Sequence, residues 1–328
     1  MPPSFGLQLP SFSFASRPEE NPFRVAREIA LRAEALGFDS LWLMDHLFQI
    51  PVVAPETDPI LDCWTGLSAL AAATRRIRLG TLVSAVGFRP PSVLAKISAS
   101  LDVISEGRLV VGLGAGWCDW EHAAYGLEFP DTGERLRRLE EAIQILIAMW
   151  SEERASFEGR YYRVKGAVCS PKPVQRPHPP ILIGGNGPRV TLRLVAQYAQ
   201  AHNLGGGSPR ECARVLGLLR EHCDALGTDY GAIWKTRLTP ILFADSERDA
   251  ERRIAELCPA GETEKGFRAR TLIGTPAEVA RRLEAFVDAG VQGFLVSFWD
   301  VDALTPLEIL MREVAPRLGV AAAPAPAR

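Results

Sequence analysis

Short apolar runs alternate with longer amphipathic stretches along almost the whole chain. The runs suit strands that are buried on both faces, and the stretches carry apolar positions three or four residues apart, as helices do. The predicted strands are residues 5–9, 40–44, 77–83, 108–113, 181–183, 201–204, 239–244 and 294–298. The predicted helices are residues 22–36, 62–74, 91–104, 132–150, 187–198, 208–226, 247–257, 275–290 and a closing helix from 305.

Strands that alternate with helices in this way predict an α/β fold, and their number predicts a closed (β/α)8 TIM barrel. An open doubly wound sheet is the alternative, but a length of 328 residues without a break in composition favours the barrel. We expect residues 1–318 to form one domain, with an insertion at about 151–180 that contains a hairpin pattern, and residues 319–328 to be an Ala/Pro tail. Chemistry then belongs on the loops that follow the strands.

Composition narrows the classes of function. Hydrophobic residues make up 47% of the chain and the formal net charge is −2, so we expect a large core and neither nucleic acid nor a membrane as partner. Six scattered cysteines without C-x-x-C or zinc-ligand spacing predict no metal site and no disulfide frame. The first residues lack a basic and apolar export signal, so we expect a cytoplasmic protein.

One titratable pair directly follows the second predicted strand. Asp45 and His46 stand there, and His46 is one of only five histidines. Histidine titrates near neutral pH, which makes His46 a candidate for proton transfer. The alternative is a rim histidine that only bonds a neighbour.

Small residues follow the third and fourth predicted strands. Ser84, Ala85 and Val86 follow the third strand and Gly114 and Gly116 follow the fourth, where they leave room for a planar ligand or form sharp turns. A dinucleotide fingerprint is disfavoured because Trp117 occupies its last glycine position.

A second glycine cluster follows the strand at 181–183. Free N–H groups at the start of a helix bind phosphate, so this turn and the next one, Gly205–Gly207, predict a phosphate pocket; many such turns nevertheless bind nothing. The residues of the first turn are Gly184, Gly185, Asn186 and Gly187.

At this point the chain resembles the luciferase-like flavin and deazaflavin oxidoreductases, in particular the coenzyme F420-dependent group. Five ordered segments carry the resemblance, and together they span about residues 5–205. They are LGFDSLW at 36–42 with Asp45-His46, IRLGT at 77–81, LDVISEGR at 101–108, GLGAGW at 112–117 with Glu121 and Tyr125-Gly126, and 171–187, which begins PKP.

The resemblance implies a barrel with F420, or alternatively FMN, across the strand ends. It implies that the cofactor phosphate lies on residues 184–187, that a non-prolyl cis peptide lies near residues 84–86, and that His46 handles a proton. Asp45 and Asn203 would contact the cofactor. Four aromatic residues would bind a small and fairly apolar substrate: Phe12, Phe48, Trp117 and Trp120.

Two departures limit what the resemblance transfers. The related sugar-phosphate dehydrogenases carry a carboxylate where this chain has Trp117, and the usual Asp-Gly-Trp-Asn is Gln-Ala-His-Asn at 200–203. The preferred hypothesis is F420-dependent hydride transfer to or from an organic substrate. The alternatives are an FMN-dependent monooxygenase that activates oxygen and a flavin-binding protein without turnover; a homodimer is compatible with each.

Overall fold

Eight parallel strands close into a ring around an apolar interior. The computed structural model describes residues 2–321 and forms twelve strands within them. In chain order they are β1 (Ser4–Leu9), β2 (Ser40–Leu43), β3 (Arg78–Thr81), β4 (Ser84–Ala85), β5 (Leu109–Gly114), β6 (Ala155–Glu158), β7 (Arg163–Ala167), β8 (Ile181–Gly184), β9 (Ala201–Leu204), β10 (Trp234–Phe243), β11 (Leu272–Gly274) and β12 (Gly293–Phe298).

The ring runs β1-β2-β3-β5-β8-β9-β10-β12 and closes because β12 pairs in parallel with β1. This confirms the predicted (β/α)8 barrel. Two short strands extend it, since β4 pairs with β5 and β11 pairs with β10. The predicted insertion lies between the helix that ends at Ser151 and β8, and its hairpin pattern forms the antiparallel pair β6 and β7.

Eleven α-helices lie within the described residues, most of them between strands. They are α1 (Pro22–Leu36), α2 (Cys63–Ala73), α3 (Pro91–Ile104), α4 (Asp119–Ala124), α5 (Thr132–Ser151), α6 (Thr191–Tyr198), α7 (Pro209–Leu226), α8 (Glu247–Leu257), α9 (Glu264–Arg270), α10 (Pro276–Asp288) and α11 (Thr305–Ile309). The last helix continues as a π-helical turn, Leu310–Val314, and a 3-10 turn, Ala315–Leu318. Residues 322–328 of the predicted tail lie outside the described residues.

Local sequence explains the helix ends. The side chain of Asn21 accepts hydrogen bonds from the first turn of α1, and Gly37 ends the helix with a φ of 87°. Inside the ring, glycines make room for one large side chain. A Cβ atom at Gly80 would lie 2.2 Å from the ring of Trp42, which fills the barrel interior.

Several predicted boundaries were wrong. No helix was predicted between the fourth strand and residue 132, but α4 forms there, because Asp119 and Glu121 in the first turn favour a helix. The strand predicted at 239–244 begins at Trp234, and both β11 and α9 were missed. The third strand was predicted as continuous over 77–83, but the chain leaves the ladder after Thr81. No helix within the described residues is long and apolar enough to span a bilayer.

Candidate active site

Two cavities lie side by side at the carboxyl ends of the strands. One, of about 460 Å³, is lined largely by small residues, and we call it the glycine cavity: Gly114, Gly116, Gly184, Gly185, Gly187 and Asn203. The other, of about 540 Å³, is lined largely by apolar side chains, and we call it the apolar cavity: Met44, Ile50, Val52, Val53, Phe298 and Trp299. Five residues line both cavities and mark where they meet: His46, Leu82, Trp117, Gly205 and Leu238.

His46 is held in place by a buried carboxylate. Its Nδ1 lies 2.9 Å from Oε2 of Glu121, whose side chain is 1% exposed, and the other carboxylate oxygen accepts from the backbone N–H of Leu47. A carboxylate accepts, so Nδ1 donates to Glu121 and Nε2 is the other ring nitrogen. Within residues 2–321, Nε2 has no hydrogen-bond partner. Glu121 thereby orients the nitrogen that is available for proton transfer.

Asp45 lies beneath this pair in a polar network. Its Oδ2 accepts from Arg89 at 2.7 Å and from Nε1 of Trp64 at 3.3 Å, and Trp64 also donates to Ser84. Arg89 bridges to Asp62 as well. Burial raises the pKa of Asp45, and the cation of Arg89 opposes that rise. The buried Oδ1 of Asp45 has no partner in the described part of the chain, although the residue lines the glycine cavity.

A cysteine completes a possible ligand set beside His46. Sγ of Cys118 lies 3.9 Å from Nδ1 of His46, and His46, Cys118 and Glu121 offer donor atoms within 4.8 Å of one another. These donor types suit zinc, which binds the thiolate. Burial, however, raises the pKa of Cys118 to about 12, and Nδ1 already donates to Glu121. We therefore describe the cluster as a hydrogen-bonded pair with a protonated thiol beside it.

The backbone bulges between β3 and β4 into the glycine cavity. A non-prolyl cis peptide joins Leu82 to Val83, which is two residues earlier than the predicted position. The glycines of the facing strands accommodate this bulge. A Cβ atom would lie 1.8 Å from the carbonyl oxygen of Thr81 at Gly112, and 2.8 Å from Val83 at Gly114.

The predicted phosphate turn does not itself open a helix. The helix α6 begins at Thr191, four residues after Gly187, and residues 188–190 form a turn before it. Gly185 donates to the carbonyl of Asn203 and extends the ladder, whereas the N–H groups of Asn186 and Gly187 have no acceptor within residues 2–321. The turn therefore offers main-chain donors at the edge of the glycine cavity, and Asn186 itself is exposed.

The remaining predicted residues are spread more widely. Ala85 and Asn203 line the glycine cavity, and Asn203 donates to Thr236, but Ser84 and Val86 are buried in the wall behind it. Of the four predicted substrate residues, only Trp117 lines a cavity. Their positions follow from packing: Phe12 is 3% exposed in the core, Phe48 stacks on Tyr125, and Trp120 packs edge-on against Trp117.

Sequence reasoning assigned no role to several residues that the fold brings to the site. Glu121 and Arg89 hold His46 and Asp45, and Gln8 and Ser297 line the apolar cavity. The sequence did contain a signal for Glu121, because this carboxylate follows soon after the end of a strand, where site residues of a barrel lie. No sequence signal links Gln8 to Ser297, which come together only because β1 pairs with β12.

Comparison with known proteins places the chain in a family. The model of the luciferase-like monooxygenase family matches residues 4–293. An F420-dependent glucose-6-phosphate dehydrogenase of Kineococcus radiotolerans is 30% identical over 304 residues, which cover 84% of this chain and 87% of that protein.

Solved structures share the fold at lower identity. A structure of an F420-dependent secondary alcohol dehydrogenase with an F420-acetone adduct has a TM-score of 0.82 at 22% identity, covering 97% of this chain and 99% of that chain. A monooxygenase from Streptomyces bottropensis has a TM-score of 0.81 at 24% identity, covering 95% of this chain and 99% of that chain. With the family match over residues 4–293, these findings establish that the protein belongs to the luciferase-like monooxygenase family of oxidoreductases.

Proposed function

We propose that this protein uses coenzyme F420 to move a hydride between the deazaflavin and an alcohol or carbonyl substrate. One observation carries the proposal. His46 lies where the two cavities meet, its Nδ1 is fixed by buried Glu121, and its Nε2 has no partner within residues 2–321. A histidine so placed can pass a proton to or from a substrate oxygen in the apolar cavity while a cofactor occupies the glycine cavity.

The residues of the glycine cavity fit a flavin-type ring and its phosphate. Glycines bring main chain to the cavity surface, and Val83 projects from the bulge towards it. The unpaired Oδ1 of Asp45 is an acceptor that a ring N–H would satisfy. The free N–H groups of Asn186 and Gly187 are donors that suit a phosphate. We propose that these groups hold the cofactor.

A bound deazaflavin supplies a carbon that accepts or gives a hydride, and the protein supplies position and a proton. His46 takes the hydroxyl proton of an alcohol on Nε2, or returns it to a carbonyl oxygen. Glu121 keeps the imidazole in one tautomer and orientation. Trp117 lines both cavities and would exclude water from the point where they meet.

The relatives support F420 over FMN. The relative from Kineococcus radiotolerans and a second from Microbacterium testaceum, 39% identical over 188 residues, are both described as F420-dependent dehydrogenases. FMN has a similar ring and a phosphate, so the same residues suit it. Reduced FMN would activate oxygen, whereas a reduced deazaflavin hardly reacts with it.

A binding titration with each cofactor tests the proposal. We expect F420 to bind more tightly than about 100 μM, measured by fluorescence, and to be reduced when an alcohol substrate is added. Binding of FMN alone, with oxygen uptake in step with substrate, would select the monooxygenase. If neither cofactor binds, both functions fail.

We further propose that the protein works in the cytoplasm on a small-molecule substrate. All six cysteines are free thiols, and five of them are buried, which suits a reducing compartment. A homodimer in solution is the accompanying expectation, and size-exclusion chromatography with light scattering tests it.

A further inference from the structure

The apolar cavity has few groups that could bind a charged substrate. Its volume of about 540 Å³ falls within the range of about 300–1,000 Å³ that is usual for small-molecule sites. Apolar residues form most of its wall, with leucine, proline and alanine beside the valines, isoleucine, methionine and aromatic residues. Two arginines also border it, Arg237 and Arg270, and their surroundings decide which substrates the cavity can accept.

The charge of Arg270 is already neutralised. Its Nε donates to both oxygens of Glu262 at 2.8 and 3.0 Å, and its Nη2 donates to the carbonyl of Val52. The guanidinium also lies 4.7 Å from the ring centre of Trp299. A phosphate that approached Arg270 would therefore meet the carboxylate of Glu262 as well as the cation.

Arg237 faces away from the barrel interior. Side chains alternate along β10, and its neighbours Leu238 and Pro240 line the apolar cavity. Arg237 instead lies 4.2 Å from the ring centre of Phe286 on α10 and donates to the carbonyl of Gly207 at 3.1 Å. It is 4% exposed, and its two terminal nitrogens donate to main-chain carbonyls and to Thr239, while its buried Nε has no partner within residues 2–321.

Two uncharged polar groups line the same cavity. Gln8 and Ser297 lie on the paired strands β1 and β12, one residue beyond the register pair Leu7 and Val296. Within residues 2–321 neither side chain has a hydrogen-bond partner, and both face the cavity. A ligand in the cavity can therefore bond them without displacing a protein partner.

We infer that the substrate is an uncharged alcohol or ketone of largely apolar surface with a second hydrogen-bonding group, and not a sugar phosphate. The inference rests on the proposed function and names the substrate class of that site. On oxidation, the carbinol carbon loses its hydrogen as a hydride to the bound deazaflavin, and the hydroxyl proton goes to Nε2 of His46. The C=O double bond forms with the electron pair of the broken O–H bond, so the alcohol is oxidised by two electrons. Reduction of a ketone reverses each transfer.

The test compares substrates on the F420-loaded protein. Isopropanol, cyclohexanol, a cyclohexanediol and glucose 6-phosphate are each assayed for turnover and for the shift in Tm that they cause. We expect kcat/KM for cyclohexanol to exceed that for glucose 6-phosphate by about 100-fold, and to exceed that for isopropanol by about tenfold because of its larger apolar surface. The uncharged ring compounds should also raise Tm, whereas the sugar phosphate should not.

Two variants test the roles that the inference gives to Gln8 and Glu262. The second hydroxyl of the diol should bond Gln8 and raise kcat/KM above that for cyclohexanol, and Gln8→Leu should remove most of this preference. Glu262→Gln should raise relative turnover of glucose 6-phosphate, because it releases the cation of Arg270. A wild-type preference for glucose 6-phosphate that Arg237→Met abolishes would overturn the inference, as would the absence of both turnover and a Tm shift with every uncharged compound. Failure of F420 itself to bind would instead defeat the proposed function.

Discussion

The two cavities are built from different parts of the chain. The glycine cavity is formed mainly by main chain and small residues at strand ends, with the bulge at Leu82–Val83 in its wall. The apolar cavity is formed by larger side chains, several of them on the irregular segment between β2 and α2. Main-chain groups are the same in every residue and can bind a ligand that many proteins share, whereas the side chains of a cavity determine which substrate fits. The difference supports the proposal that the cofactor binds in the glycine cavity and that the apolar cavity selects the substrate.

His46 joins the two cavities, so its removal should have the largest effect. His46→Ala should lower kcat by about 100- to 10,000-fold, because it removes the group that moves the proton. The Kd for F420 should change little, since the glycine cavity keeps its main-chain contacts. Fluorescence titration and the rate of F420 reduction measure the two quantities. An equal loss of binding and turnover would mean that His46 serves the cofactor instead.

Glu121 should act through His46 alone. Glu121→Ala leaves Nδ1–H of His46 and the N–H of Leu47 without an acceptor, so we expect kcat to fall by about 10- to 100-fold. KM should stay nearly constant, and Glu121→Gln should recover only part of the rate, because its single acceptor oxygen can serve only one of the N–H groups of His46 and Leu47. Glu128→Ala, at an exposed carboxylate, is the matched control. A change in KM as large as that in kcat would argue against a positioning role.

Trp117 and Trp120 pack against each other, but only Trp117 lines the cavities, so the two residues can be compared. Trp117 lines both cavities, so Trp117→Ala should raise KM for an apolar substrate by about tenfold through lost contact area. Trp120 lines neither, and Trp120→Ala should change KM by less than about threefold. Steady-state kinetics with one alcohol measures both. Equal effects would show that the aromatic pair works as a unit.

Sequence patterns predicted the barrel and the glycine cavity better than the apolar cavity. The barrel follows from alternating apolar runs and helix caps such as Asn21, which act over a few residues. The turn at Gly184–Gly187 could also be predicted from neighbouring residues, although α6 begins only at Thr191. Contacts between distant segments were not predictable in this way. Glu121 meets His46 across 75 positions, and Gln8 meets Ser297 only through ring closure.

The aromatic residues show the same limit. Phe12, Phe48, Trp117 and Trp120 were all expected to bind substrate because all follow strand ends. Only Trp117 lines either of the two cavities, since Phe12 packs in the core and the other two pack against neighbouring aromatic rings. Residue type and position along the chain cannot distinguish a ring that packs on protein from one that faces a ligand.

A variant at Gly187 tests whether the main chain of this turn in the glycine cavity binds the cofactor. A Cβ atom there would lie 2.6 Å from Oγ1 of Thr191, so Gly187→Ala must either shift the turn or rotate the Thr191 side chain. We expect F420 to bind about fivefold more weakly, which corresponds to about 1 kcal/mol of strain. Gly217→Ala on α7 is the control, because a Cβ atom there meets no atom within 4 Å. Unchanged binding by the Gly187 variant would place the phosphate elsewhere.

His202 should affect stability and not catalysis. It is buried beside the glycine cavity on β9, where Nδ1–H donates to the carbonyl of Ile183, and burial lowers its pKa to about 4. An unfolded histidine binds its proton near pH 6.5, so the unfolded state gains protons first on acidification and stability falls. Between pH 7 and pH 4.5 the free energy of unfolding should drop by about 2 kcal/mol from this residue alone.

Urea denaturation of the wild type and of His202→Phe at both pH values isolates that contribution. The variant loses the hydrogen bond to Ile183 and is expected to be less stable at pH 7, but it also lacks the titrating group. Its loss of stability on acidification should therefore be smaller than that of the wild type by about 2 kcal/mol. The other titrating groups are common to both proteins and cancel in this difference. Equal losses in the two proteins would mean that His202 is charged in the folded state, which would require water or an acceptor next to Nε2 and a less closed wall beside the glycine cavity.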